Sequence, residues 1–123
     1  MKQETMKEFV LFIRDGGNNL DNMSPEELQR HIKKFGSYID NLMKEGKLKS
    51  AQPLEINGRI VSGKNGVIKD GPFVESKEVI GGYFHIVAED LDEAVEIAKA
   101  NPLFQNGVGE IEVRPIKRLE GIN

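Results

Sequence analysis

A chain of 123 residues has the length of one domain, and its 38% hydrophobic content supports one core but not two-sided burial of every element. The formal charge of −3, with Lys and Arg scattered among Asp and Glu, offers no basic stripe for a phosphate backbone and argues against direct nucleic-acid binding. The lack of cysteine excludes disulfides, thiol nucleophiles and cysteine-ligated metals. No apolar leader follows Met-Lys-Gln-Glu-Thr and no run approaches membrane-spanning length, so a soluble cytoplasmic protein away from membranes is expected.

Lys7 to Arg14 reads as the first strand. Phe9, Leu11 and Ile13 alternate with Val10, Phe12 and Arg14, so both faces carry large apolar side chains and each needs a cover. After the loop Asp15 to Asn19, Ser24-Pro25-Glu26-Glu27 combines a capping box with Pro at the first helical position. The helix is predicted to run to about Glu45 and stop at Gly46. Leu28, Ile32, Phe35, Ile39, Leu42 and Met43 form its apolar stripe, with His31 and Tyr38 on one border.

Lys47 to Ile56 contains the second predicted strand. Asn57-Gly58 and Asn65-Gly66 are two hairpin signals, with Arg59-Ile60-Val61 and Val67-Ile68-Lys69 as short strands of an inserted hairpin. Asp70-Gly71-Pro72 predicts a sharp turn, because Pro72 fixes φ and Gly71 tolerates almost any backbone conformation. Phe73 follows as an apolar anchor expected in the core, and Glu75, Lys77 and Glu78 as a charged run. Gly81-Gly82 then interrupts a strand predicted over Val79 to Ala88, where Tyr83, His85 and Val87 face one way and Phe84, Ile86 and Ala88 the other.

Asp90 caps a second helix whose apolar face is Leu91, Ala94, Val95 and Ala98, and Asn101-Pro102 ends it. Ile111 and Val113 alternate in a final strand that Pro115 limits, and Arg118 to Asn123 reads as a loose tail. The order strand, helix, strand, hairpin, strand, helix, strand predicts an α+β fold of the split βαβ, ferredoxin-like kind with a small insertion. Two helices cover one face of such a sheet, so a second copy of the chain is the expected cover for the other.

The run Asp70-Gly71-Pro72-Phe73, then Glu75-x-Lys77-Glu78, then Gly81-Gly82 and an aromatic, resembles the DGPF signature of the YCII-like family. The resemblance extends over about residues 7 to 116, within one domain of residues 1–123. It implies a homodimer in which two sheets pack face to face as a dimeric α+β barrel. It also implies a His on the first helix, here His31, proposed to pair with an Asp.

Two histidines are too few for a three-histidine zinc site, and no phosphate-binding glycine loop or nucleophile elbow is present. No motif requires a cofactor. His31 is either a general acid or base at a cleft or an ordinary half-exposed helix histidine. Asp70 is either the carboxylate that holds it or the residue a turn needs at that point. A His31–Asp70 pair within reach of one water would raise the histidine pKa. Tyr38 and Tyr83 are expected to line the pocket, and Glu75 and Lys77 either bind a polar ligand or form a solvated charge run. His85 reads as a packed strand residue hydrogen-bonded to a neighbour.

Two functions follow from different classes, beside a third reading as a structural homodimer whose signature loop merely closes the barrel. One is a cofactor-independent enzyme acting on a small organic molecule. The other is a non-catalytic small-molecule-binding or regulatory protein, for which the resemblance implies a link to transcription initiation.

Overall fold

The computed structural model describes residues 6–14, 23–55, 57–72, 80–106 and 109–123. Its fold is α+β. Strand β1 (Lys7–Arg14) is followed by helix α1 (Pro25–Lys44), β2 (Leu48–Pro53), β3 (Arg59–Lys64), β4 (Val67–Pro72), β5 (Gly82–Ala88), α2 (Leu91–Lys99), a 3-10 turn (Pro102–Asn106) and β6 (Glu110–Pro115). Four strands form an antiparallel sheet in the order β2-β5-β1-β6, and β3 and β4 form a separate hairpin. Each helix therefore connects two strands that have a third between them, which is the split connection read from the element order.

The helix ends follow their capping chemistry. The Ser24 side chain accepts from the Glu27 N–H at 3.2 Å, Pro25 stands in the first turn, and Gly46 takes up φ +71° just past the last turn. Asp90 does the same for α2, accepting from the Glu93 N–H at 2.8 Å, while Glu93 Oε1 accepts from the Glu89 N–H.

Both helices lie on one face of the sheet. Phe9, Leu11 and Ile13 of β1 and Phe84, Ile86 and Ala88 of β5 alternate inward and meet Leu42, Ala94, Ile97, Ala98 and Leu103. The opposite face carries Val10, Phe12, Tyr83 and Val87, each half-buried, with Glu8, Arg14 and His85 among them. Arg14 donates to Glu112 Oε1 at 2.6 Å across the β1–β6 pair on this face.

Five local expectations are corrected. Asp70-Gly71-Pro72 is the end of β4, paired with Val61, Ile60 and Arg59, because cross-strand pairing outweighs the local turn tendency. The Asn65-Gly66 turn has the two positive φ values (53° and 82°) that a type I′ hairpin needs, but Asn57-Gly58 turns no hairpin, since β2 pairs with β5. On α1 the inward face is Phe35, Tyr38, Ile39 and Leu42, while Ile32 and Met43 are 58% and 61% exposed. On α2, Ile97 is buried and Leu91 is exposed. The C-terminal tail is tied down: Arg118 pairs with Glu8, Ile116 N–H donates to the Glu8 carbonyl, and Asn123 bonds the main chain of Leu119 and Lys117.

Candidate functional site

Gly81 and Gly82 begin the site, because they join three strands at one end of the sheet. Gly81 N–H donates to the Ile13 carbonyl at 2.7 Å, and its own carbonyl accepts from Leu54 N–H at 2.9 Å. A Cβ on Gly82 would stand 2.9 Å from the Gln52 carbonyl oxygen, so β2 approaches β5 there as closely as only glycine allows. The close approach at this glycine is made by the chain's own backbone.

Above this junction a cavity of about 440 Å³ opens between α1 and the β2–β5 edge. Ile13, Phe35, Ile39, Ala51, Phe84 and Leu103 give it an apolar lining. His31 brings the polar side chain, and Gln52, Pro53 and the two glycines form one rim. Gln52 pairs with Tyr83, so strand alternation assigns its side chain to the uncovered face. A concave, mostly apolar space with a few convergent polar groups is the usual form of a small-molecule site.

α1 presents His31 here because 31, 35 and 39 share one helical stripe. The imidazole meets the edge of the Phe35 ring at 4.9 Å between centroids. Burial lowers its pKa below the usual histidine value, and the nearby Lys34 charge lowers it further. A carboxylate partner was expected to raise it, so the shift runs the other way. His31 is consequently neutral near pH 7, with a ring nitrogen able to accept a proton.

Gly36 lines the same cavity and was not singled out in the sequence. It lies inside a 20-residue helix, where glycine is unfavourable by about 1 kcal/mol relative to alanine. No atom lies within 4 Å of where its Cβ would be, and its φ is ordinary. Packing therefore does not demand it, whereas a side chain there would project at the cavity wall. A glycine within a helical periodicity is the signal that marks such a position.

The other expected site residues are placed as follows. Tyr38 points into the core: its hydroxyl donates to the Ile97 carbonyl at 2.5 Å, its ring meets Phe84 edge-on, and burial pushes its pKa up to about 12. It borders a shallow groove between α1 and α2 and is not among the described residues lining the His31 cavity. Tyr83 borders that cavity, although strand alternation assigns its side chain to the uncovered face. Asp70 stands on the hairpin with Arg59 Nη1 at 3.4 Å from its carboxylate, and it too is not among the described residues of the His31 cavity. Glu75 and Lys77, with Phe73 and Glu78, lie outside the described residues.

A close histidine–carboxylate contact does exist elsewhere. His85 Nε2 is 2.7 Å from Glu8 Oε1 on the uncovered face, and Arg118 reaches the other oxygen of the same carboxylate. The His85 hydrogen bond is the main reason the Glu8 pKa falls below the ordinary value; the Arg118 charge adds to it against the opposing effect of burial. Among the described residues no group of three His, Asp or Glu side chains is placed to hold a metal, and no helix is long and apolar enough to cross a membrane.

The chain is 41% identical over 54 residues to an uncharacterized protein, R00369, of Rhizobium meliloti (strain 1021). That match spans 41% of this chain and 40% of the relative, so less than half the length of that protein is shared. Among solved structures it is similar to 5-chloro-2-hydroxyhydroquinone dehydrochlorinase (TftG) from Burkholderia phenoliruptrix AC1100, in complex with 2,5-dihydroxybenzoquinone. The TM-score is 0.49 and the identity 17%, over 92% of this chain and 96% of that one. The family model of the YCII-related domain matches residues 7–120, and the chain belongs to that family.

Proposed function

We propose that this protein is a cofactor-independent enzyme acting on a small organic molecule, with His31 as the group that takes a proton from the bound substrate. One observation carries this reading: a neutral, partly buried imidazole borders an apolar cavity of about 440 Å³. A base whose pKa is lowered from the ordinary histidine value is available in its reactive form at physiological pH. Gly36 supports the reading, since the helix tolerates its cost where a side chain would fill the cavity. This reading gives Asp70 no part in the proton transfer: it stands on the hairpin beside Arg59 and is not among the described residues lining the cavity.

The active form is inferred to be a homodimer with two ferredoxin-like sheets face to face. Val10, Phe12, Tyr83 and Val87 supply the apolar surface for it on the face the helices leave open. Such contacts bury above about 1,000 Å² in total.

A thermal-shift screen against a broad set of metabolites identifies ligands, because any molecule that binds only the native state raises its apparent stability. A hit converted to product by the wild type, with His31→Gln slower by about 10²- to 10⁴-fold at little cost in binding, is the expected result. Full turnover by His31→Gln would end the proposal.

One observation favours the regulatory reading instead. Val61 and Ile68 on one face of the β3–β4 hairpin are 68% and 76% exposed, an apolar surface away from both sheet faces. Under that reading ligands shift the melting temperature and none is turned over.

A further inference from the structure

His31 forms part of a second cavity as well. Beside the apolar pocket lies a cleft of about 270 Å³, bordered by Glu27, Arg30, His31 and Lys34 of α1 and by Pro102 and Gln105 of the 3-10 turn. The two spaces differ in chemistry, and the helix explains why. Residues 27, 30, 31 and 34 follow the i, i+3, i+4, i+7 spacing of one stripe, while 31, 35 and 39 belong to the next, so His31 is common to both walls.

The charges in the cleft are unevenly matched. Glu27 is drawn to the helix start, where its carboxylate accepts from the Ser24 hydroxyl at 3.2 Å. Lys34 Nζ donates to the neutral Gln105 Oε1 at 2.8 Å, which holds the ammonium at the cleft without neutralising it. Arg30 forms no ion pair within 4.0 Å among the described residues. Arg30 and Lys34 are also one turn apart, an arrangement of like charges that mildly destabilises a helix unless an anion lies between them. The Lys34 charge is felt at His31, which places that ring within the electrostatic reach of the cleft.

We infer that the ligand is a small organic monoanion whose apolar body fills the pocket and whose oxyanion, a carboxylate or phenolate, lies between Arg30 and Lys34. This rests on the pocket reading above and adds the substrate class to it. The two cations fix one end of the molecule, the apolar walls take the other, and His31 borders both spaces. The Arg30 guanidinium can grip both oxygens of a carboxylate, and Lys34 adds a point charge.

Calorimetric titration with 2-naphthoate and its neutral counterpart 2-naphthylmethanol tests the inference. Three proteins are compared: wild type, Gly36→Met and the double variant Arg30→Gln/Lys34→Gln. Methionine is a better helix former than glycine, so Gly36→Met narrows the pocket without weakening α1. The expected result is naphthoate binding at least about tenfold tighter than the alcohol, corresponding to about 1.4 kcal/mol. The double variant removes that preference, and Gly36→Met weakens both probes. Equal affinities in the wild type, or a preference that survives the double variant, would overturn the anion site while leaving the pocket. Affinities unaffected by Gly36→Met, or no binding of either probe at millimolar concentration, would overturn the pocket and this inference with it.

Discussion

The two faces of the four-stranded sheet each carry one histidine, in opposite circumstances. On the helix-covered side His31 borders an apolar cavity, and burial and a lysine lower its pKa. On the open side His85 is bound to Glu8, whose other oxygen is taken by Arg118. The first histidine adjoins the cavity between the helix and the sheet. The second is tied into an ion-pair group that fastens the C-terminal tail to β1. The contact of His85 with Glu8 is therefore a structural one, and the cavity lies beside the other histidine.

The faces are expected to separate most clearly in stability and assembly. Phe9→Ala on the covered face should cost about 3–5 kcal/mol in urea unfolding, as usual for a buried phenylalanine. Phe12→Asp on the open face should leave the circular dichroism of the fold intact and halve the mass seen by light scattering. A monomeric wild type at micromolar concentration would remove the dimer, and equal destabilisation by the two substitutions would remove the contrast between the faces.

The next contrast is catalytic. Once a substrate is found, His31→Gln should lower kcat by about 10²- to 10⁴-fold. His85→Gln should leave kcat unchanged and lower the melting temperature. The reverse pattern would move the chemistry to the open face.

A smaller effect has the opposite sign. Gly36→Ala should stabilise the protein by about 0.5–1 kcal/mol, since alanine favours the helix and its Cβ meets nothing within 4 Å. It should also weaken ligand binding, so stability and function part at one residue. Destabilisation by this substitution would show that the glycine serves packing.

The smallest expected effects are in pH dependence, and both histidine sites take part. The Glu8 pKa is lowered in the fold from an ordinary 4.5, so its contribution is complete above that value and fades as the pH falls through the lowered one. Glu8→Gln should flatten this acid limb. The His31 pKa is lowered from 6.5, so the unfolded chain protonates first and stability declines as the pH drops below 6.5. NMR titration should find the His31 midpoint below 6.5, and a midpoint above that value would contradict the burial seen here.

Much of the fold was legible because periodicity reports it directly. β1, the span of α1 and its caps, the two faces of β5 and the order of elements all follow from alternation and capping residues. What failed was local chemistry that tertiary pairing overrides. Asp70-Gly71-Pro72 has the composition of a turn but pairs along Arg59 to Val61, and Asn57-Gly58 has that of a hairpin although its flanking strands find other partners. The expected stripe of α1 was right at 35, 39 and 42 and wrong at 32 and 43, because 28, 32, 35, 39 and 43 repeat at helical spacing as well as 35, 38, 39 and 42 do. Only the docking of the helix on the sheet decides between them. His31 was identifiable from its place beside an apolar stripe. Its setting was not, because Ala51, Gly82 and Leu103 line the same cavity from distant parts of the chain.

The junction at Gly81 and Gly82 has a consequence for how the pocket breathes. That wall is clamped to β1 and to the chain beyond β2 by main-chain bonds, with no side chain to loosen. The facing wall is the middle of α1, from His31 to Ile39, and within that span Lys34 links the helix to the 3-10 turn through an exposed contact with Gln105. Amide exchange should therefore be slow at Gly81 and fast in the first turns of α1, since protection follows the free energy of local opening. A molecule entering the pocket would then displace the helix and not the sheet, so its association rate would be set by how often the start of α1 lifts away from the 3-10 turn.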